Sequence, residues 1–296
     1  MHHGTAQQLP IELYEKFIDS VANLSFHYAD SQDVLPTPDA EWRATLIACA
    51  FVCKAWYSHS LHRLQECIPL RRRKQVVSLS KLLRRQSSLQ TAIKHVIISG
   101  PSPDALSKPI VPQLGTFAIM LARKLPNLRS LTLLHVYWKG IRADTVRYLS
   151  AFSTITHLRL DTVIFVTASQ FASLLAALPS TRYISCDDIE CHQNRCLLSF
   201  PDVEDKRPLE VVLGQADDGI VEVLANLRTV RHVTRLSYGV RLVGNDALRV
   251  AQCQRLLDAY GDSLHELHIG ALTHCRGHGE YSLCSLASAL IMLSDS

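Results

Sequence analysis

The chain has 296 residues, of which 47% are hydrophobic and 20% are charged, and its formal net charge at pH 7 is +4. This composition is typical of a globular protein and excludes a wholly disordered chain, and so small a charge does not predict nucleic-acid binding. No run of about 18 apolar residues occurs, and no apolar signal segment opens the chain, so we expect neither a membrane span nor secretion. Nine irregularly spaced cysteines fit a reducing compartment, which indicates an intracellular protein of the cytoplasm or nucleus.

The residue pattern of the N-terminal part predicts two helices joined by a loop. Residues 1–8 are expected to be disordered, and Pro10 is suited to the first position of a helix that carries apolar residues at helical spacing. A loop rich in Pro, Asp and Ser follows at about 25–41. A second helix is expected from about Glu41 to Leu64.

The second helix contains more apolar surface than one helix face needs. Its stretch "TLIACAFVCKAWYSHSLHRL" spreads apolar residues around the whole helix, including Phe51 and Val52. The excess predicts either burial against the rest of the chain or a surface that a partner covers.

A basic amphipathic helix comes next. "ECIPL" predicts a short extended segment, and "RRRKQVVSLSKLLRRQ" predicts a helix with Val76 or Val77, Leu79, Leu82 and Leu83 facing inward. The run Arg71 to Lys74 is typical of a nuclear-import signal, of a patch for acidic partners, or of a solvated helix face, and we favour the last.

One unit then recurs along the chain. Aliphatic positions at Val96, Leu131, Leu158, Ile184, Val211, Leu236 and Leu267 each lie in a short strand pattern, and a helical pattern precedes most of them. From Leu131 onward they are spaced by 25 to 31 residues. A strand and a helix at this period predict an α/β fold of the leucine-rich-repeat solenoid type over residues 67–296.

An ordinary α/β sheet is the alternative, and the regular L-x-x-L-x-L spacing favours the solenoid. The Asn or Cys usual after the strand is replaced by Val136, Val163, Ile189 and Leu272, which indicates a divergent array. The apolar helical pattern "YSLCSLASALIMLSDS" ends the chain without a polar cap, which indicates an array truncated there or a last helix covered by another element.

Residues 9–66 resemble an F-box. The resemblance rests on "LPIEL" from Leu9, on "FIDSV" from Phe17 and on "LIACAFVCKAWY" from Leu46. With the repeats downstream, the chain is similar to F-box and leucine-rich-repeat proteins of the expanded fungal type. The resemblance implies a substrate adaptor of an SCF-type ubiquitin ligase, which docks on the Skp-type linker subunit and through it on a cullin-RING ligase. It implies no catalytic residue and no cofactor.

Carried over by position, the resemblance implies linker contacts at two places in this module. They are Leu9, Pro10, Ile11, Leu13 and Ile18 in the first helix, and Leu46, Ala50, Val52, Cys53 and Lys54 in the second. Trp56 is expected to be structural.

The repeats are expected to hold a protein target on the strand positions that alternate with the buried ones. The candidates are His157, Arg159, Asp161, Tyr183, Asp187, Glu210, Arg235, Glu266 and His268. Their mixed charge favours an unidentified protein or peptide over nucleic acid or a membrane surface.

Two other functions compete with this prediction. One is a repeat scaffold that has no link to ubiquitin. The other is a zinc protein or enzyme built on "CDDIECHQNRC", from Cys186 to Cys196, but no second ligand pair lies at the usual finger distance. The "HELH" at His265 has the wrong spacing for H-E-x-x-H, and no catalytic motif occurs, so we expect no metal site and no enzyme.

Overall fold

The computed structural model describes residues 10–27, 38–101, 111–193, 205–227, 231–241, 246–272 and 289–292. The protein is an α/β protein with a single sheet of eight parallel strands that alternate with helices. The chain divides into two compact units, Met1–Pro69 and Leu70–Ser296. The predicted disordered residues 1–8 lie outside the described residues.

The first unit is built from three helices, not two. They are α1 (Ile11–His27), α2 (Pro38–Ala50) and α3 (Lys54–Glu66), so the prediction of one continuous helix to Leu64 is wrong. Cys53 has φ −162° and ψ 173°, an extended conformation that ends α2 and starts α3. The predicted loop shares only residues 28–37 with the gap between α1 and α2, and these lie outside the described residues.

The sheet follows the order of the chain. Its strands are β1 (Cys67–Leu70), β2 (His95–Ser99), β3 (Ser130–Tyr137), β4 (His157–Thr167), β5 (Tyr183–Gln193), β6 (Asp205–Leu213), β7 (Arg231–Arg241) and β8 (Glu266–Leu272). A short β9 (Ala289–Met292) pairs antiparallel with β8.

The helices of the second unit also follow chain order. They are α4 (Arg73–Arg85), α5 (Ser87–Ala92), α6 (Pro112–Leu121), α7 (Ala143–Leu149), α8 (Ala168–Ala177), α9 (Asp218–Asn226) and α10 (Asp246–Tyr260). From α6 to α10 each helix packs against the next. Because parallel crossovers are right-handed, a sheet in sequential order receives its helices on one face and leaves the other face open.

The register of the strands confirms the predicted repeat of aliphatic residues. The row Val96, Leu131, Leu158, Ile184, Val211, Leu236 and Leu267 is paired from strand to strand. Every member is buried. This row and its neighbour two residues on form the contact between the sheet and the helix layer.

Three neighbouring strands bend at the same level. His135, Thr162 and Asp188 have φ of 52°, 53° and 53°, the left-handed region that side chains other than glycine rarely adopt. They lie between paired residues of β3, β4 and β5, so the three bends stack. Val136, Val163 and Ile189 follow them and are buried, so an apolar row comes directly after the bends.

Two local predictions are wrong. Leu82 is 40% exposed, because it lies at the edge of the side of α4 that buries Val76, Leu79 and Leu83. The predicted C-terminal helix contains a strand, β9, because the free edge of β8 offers backbone groups that an extended segment can pair with.

We predict that Gly100→Ala destabilises the fold strongly. Gly100 donates its N–H to the Leu134 carbonyl oxygen at 2.7 Å, and a Cβ on Gly100 would lie 1.8 Å from the His135 carbonyl oxygen. The backbone must move to relieve this overlap, so we expect the free energy of unfolding to fall by about 2 kcal/mol or more in chemical denaturation.

Gly115→Ala is the matched control, because its Cβ would meet only the Thr145 hydroxyl, at 3.3 Å, and alanine favours the helix. Its free energy of unfolding should change by less than about 1 kcal/mol. Equal denaturation midpoints for Gly100→Ala and the unmodified protein would contradict the close approach.

Candidate functional site

The helical unit exposes an unusual number of large apolar side chains. Eight of the thirteen exposed large hydrophobic residues among the described ones lie between residues 11 and 61. They are Ile11, Leu13, Phe17, Ile47, Phe51, Val52, Tyr57 and Leu61. We call this set the apolar surface. Exposed apolar area, where it is contiguous, marks sites of interaction.

The break between α2 and α3 creates the most exposed part of the apolar surface. Phe51 is 85% exposed and Val52 is 62% exposed. Their N–H groups donate to the carbonyls of Ala48 and Cys49, both at 3.1 Å, so a tight turn holds both side chains outside the helices. In a continuous helix the side chains of Phe51 and Val52 would point about 100° apart around the helix axis. The sequence predicts such a continuous helix, so it does not reveal this turn.

Trp56 joins α1 to α3 behind the apolar surface. Its ring lies 5.9 Å from that of Tyr14 and 5.8 Å from that of Phe17, in tilted arrangements. Rings at this separation and tilt stabilise each other beyond their buried area. The aromatic cluster therefore fixes the angle at which α1 presents its exposed residues.

A polar cluster supports the same pair of helices. Asp19 on α1 accepts hydrogen bonds from Arg63 at 2.8 Å and from His59 at 2.6 Å, and Arg63 also donates to Glu66 at 2.8 Å. Burial disfavours the charge on Asp19, but these hydrogen bonds outweigh it and hold the pKa of Asp19 below its ordinary value. The cluster ties α1 to α3 through charge-assisted contacts.

The predicted linker contacts divide by exposure. Pro10, Ile11, Leu13, Val52, Cys53 and Lys54 are exposed, and Ala50 is half-buried. Ile18 and Leu46 are completely buried, so they belong to the core and the surface proposed below leaves them out. Leu9 lies outside the described residues. Phe17 and Phe51 are exposed beside the predicted contacts although neither was among them.

The predicted target contacts lie together on the open face of the sheet. One row joins His95, Ser130, His157, Tyr183, Glu210, Arg235 and Glu266 across seven strands. The next row joins Ile97, Thr132, Arg159, Ser185, Val212, Ser237 and His268. A third contains Ser99, Leu134, Asp161 and Asp187. Register thus places all nine candidate residues on one side of the sheet, but Asp161 is buried, so the prediction of an exposed target contact at that position is wrong.

The C-terminal part of the open face is an ion-pair network. Arg235 donates to Glu266 at 2.5 Å and to Glu210 at 3.4 Å, and His268 lies 2.6 Å from Glu266. Hydrogen bonds from His268 and Arg235 lower the pKa of Glu266. These four side chains largely satisfy one another, so a partner gains little from any one of them alone.

In the middle of the open face, the ionisable side chains are less completely paired with one another. The rings of His157 and Tyr183 lie 5.6 Å apart, and burial lowers the pKa of His157, with Arg129 adding to the effect. Asp161 is 2% exposed and accepts a hydrogen bond from Thr162 at 3.0 Å. Burial raises its pKa, although Arg159 lies 3.7 Å away, and the neighbouring Asp187 adds to the rise.

Among the described residues, no group of three or more His, Cys, Asp and Glu side chains could hold a metal ion. Cys186 and Cys191 are both buried, and burial raises the pKa of the Cys186 thiol above its ordinary value. His192 is exposed, and Cys196 lies outside the described residues. No described helix is both long and apolar enough to cross a bilayer.

Comparison of the chain with protein-family models and with curated proteins gives no match.

We predict that Asp161→Asn stabilises the protein at pH 7. The raised pKa means that the folded chain binds the Asp161 proton more tightly than the unfolded chain does. The stability contribution of Asp161 is therefore full below the ordinary carboxyl pKa of 3.8 and is lost as pH rises through the higher folded value. The variant should have the higher melting temperature at pH 7, and the difference should shrink toward pH 3.

Asp144→Asn is the control, because Asp144 is exposed and pairs at 3.3 Å only with the exposed Arg142. Its melting temperature should follow that of the unmodified protein across the same pH range. An Asp161→Asn variant that melts lower at pH 7 would show that its contact with Arg159 outweighs the burial of the charge.

Proposed function

We propose that this protein is the substrate adaptor of an SCF-type ubiquitin ligase. Its helical unit docks on a Skp-type linker subunit, and the open face of its sheet holds a protein target. The observation that carries the proposal is the apolar surface, which displays Phe51 and Val52 at the turn between α2 and α3.

The small size of the helical unit explains why a partner is needed. A unit of this length has a limited core, and Ile18, Val21, Trp42, Leu46 and Cys49 already fill it. The residues of the apolar surface find no such cover among the described residues. A partner that buries them removes apolar area from water at about 25 cal/mol per Å².

Three residues of the apolar surface coincide with implied docking positions. Ile11 and Leu13 at the start of α1, and Val52 at the turn, are exposed where the F-box resemblance implies linker contacts. The buried Ile18 and Leu46 are not part of the proposed contact, and the exposed Phe17 and Phe51 are included in it. The docking surface therefore combines the start of α1 with the turn between α2 and α3.

We further propose that the second unit is a divergent leucine-rich-repeat solenoid. Three features support this: the sequential order of the strands, the chain-order packing of α6 to α10, and the stacked bends at His135, Thr162 and Asp188. An array of equivalent units produces all three together, because each unit contacts its neighbour in the same way.

The open face then serves as the target-binding surface. The region around His157, Tyr183 and Arg159 offers aromatic rings, a guanidinium and the carboxylate of Asp187. Such a mixture suits a folded protein or a peptide better than a uniformly charged polymer. The adaptor needs no catalytic group of its own, because holding a target lysine near the ubiquitin-loaded enzyme raises its effective concentration.

We predict that Val52→Asp strongly weakens binding to the linker subunit. Val52 is 62% exposed, so an aspartate there costs the free fold little, whereas burial of its charge in an apolar interface is unfavourable. We expect the dissociation constant, measured by calorimetry with a purified Skp-type linker, to rise by about thirtyfold or more.

Val250→Asp is the matched control, because Val250 is 67% exposed on α10, outside the helical unit. It should leave the affinity for the linker unchanged. Failure of the unmodified chain to bind any Skp-type linker would favour the repeat scaffold without a link to ubiquitin. In that case the proteins captured by the full chain should be the same with and without Val52→Asp.

A further inference from the structure

The charge of this chain is strongly segregated along its length. Residues 67–143 contain 14 Lys and Arg against a single acidic residue, a net charge of +13. The rest of the chain contains 17 Lys and Arg against 26 Asp and Glu, a net charge of −9. The modest total of +4 hides this division, and the basic part shares no residue with the apolar surface of the helical unit.

Helix α4 gathers five of these cations into one stripe. Arg73, Lys74, Lys81, Arg84 and Arg85 are all exposed, whereas Val76, Leu79, Ser80 and Leu83 form the buried side. At about 100° per residue, the five positions fall within an arc of about 120°. At a rise of about 1.5 Å per residue, this basic stripe is about 18 Å long.

Two further cations extend the positive charge of the basic stripe toward the end of α6. Lys124, just after α6, donates to the Ser80 hydroxyl at 3.1 Å, and Arg123 beside it is exposed. No ion pair involves any cation of the basic stripe among the residues that the structure describes. The surface therefore holds a dense positive charge that forms no ion pair with the described acidic residues.

Stability of the helix does not explain the stripe. Arg84 and Arg85 lie in the last turn, where the helix dipole favours cations, but Arg73 and Lys74 lie in the first turn, where it disfavours them. Lys81 and Arg85 are also four residues apart, a spacing at which like charges repel. The cations at the start of α4 thus reduce helix stability while no acidic residue among the described ones relieves them.

We propose that the basic stripe binds an acidic segment of another protein. A membrane is disfavoured because the apolar side of α4 is buried in the protein and cannot enter a bilayer. Single-stranded nucleic acid is disfavoured because no aromatic residue lies within α4 to stack on a base. Leu82, exposed beside the stripe, adds an apolar contact that a protein partner can use. This inference does not depend on the proposed function.

The test measures binding of the full chain to a fluorescent peptide of alternating Glu and Ala, with the Gln and Ala peptide as the reference. Arg73→Gln/Lys74→Gln should weaken the affinity about tenfold, because two charge-assisted contacts are lost. The same variant should melt at the same temperature as the unmodified protein or higher, because two cations leave the first turn of α4.

Arg182→Gln/Arg255→Gln is the matched control, with the same loss of charge at two exposed sites outside α4. Its affinity for the peptide should change by less than about twofold, since distant charges are screened by salt. An equal loss of affinity in the control would overturn the proposal, because binding would then follow net charge. Tighter binding of a short DNA duplex or of anionic lipid vesicles than of the peptide would overturn the choice of partner.

Discussion

The pairing of one buried aliphatic row across the sheet is the constraint on which the second unit depends. Each member, from Val96 to Leu267, lies opposite the equivalent residue of the next strand. A slip of one residue in any strand would move its apolar side chains to the open face and its polar ones into the helix layer. The register therefore fixes the core and, at the same time, the order of residues on the surface that we propose for the target.

Much of this arrangement could be predicted from the sequence, because the aliphatic period determines both strand position and register. The rows on the open face follow directly, which is why the candidate residues from His157 to His268 lie on one surface. The bends at Thr162 and Asp188 could not be predicted, because neither residue type favours the left-handed conformation strongly enough to indicate a bend. The burial of Asp161 could not be predicted either, because strand alternation predicts an exposed side chain at this position.

The helical unit was harder to predict because some of its apolar residues form the core and others lie on the surface. Periodicity separates inner from outer residues only when the outer ones are polar, and here Ile18 in the core and Phe17 on the surface are both large and apolar. The same ambiguity hid the turn at Phe51, which continues an apolar run without Gly or Pro. An exposed apolar surface thus limits sequence interpretation for the same reason that it suggests a partner.

The sequential order of the strands has a consequence for how such a protein changes over evolutionary time. Each strand pairs only with its immediate neighbours in the chain, so no long-distance threading links remote parts of the sheet. Duplication or loss of one strand together with its helix would bring the flanking strands into the same pairing geometry. Gain or loss of such a strand-and-helix segment would widen or narrow the open face by one strand spacing, about 4.8 Å.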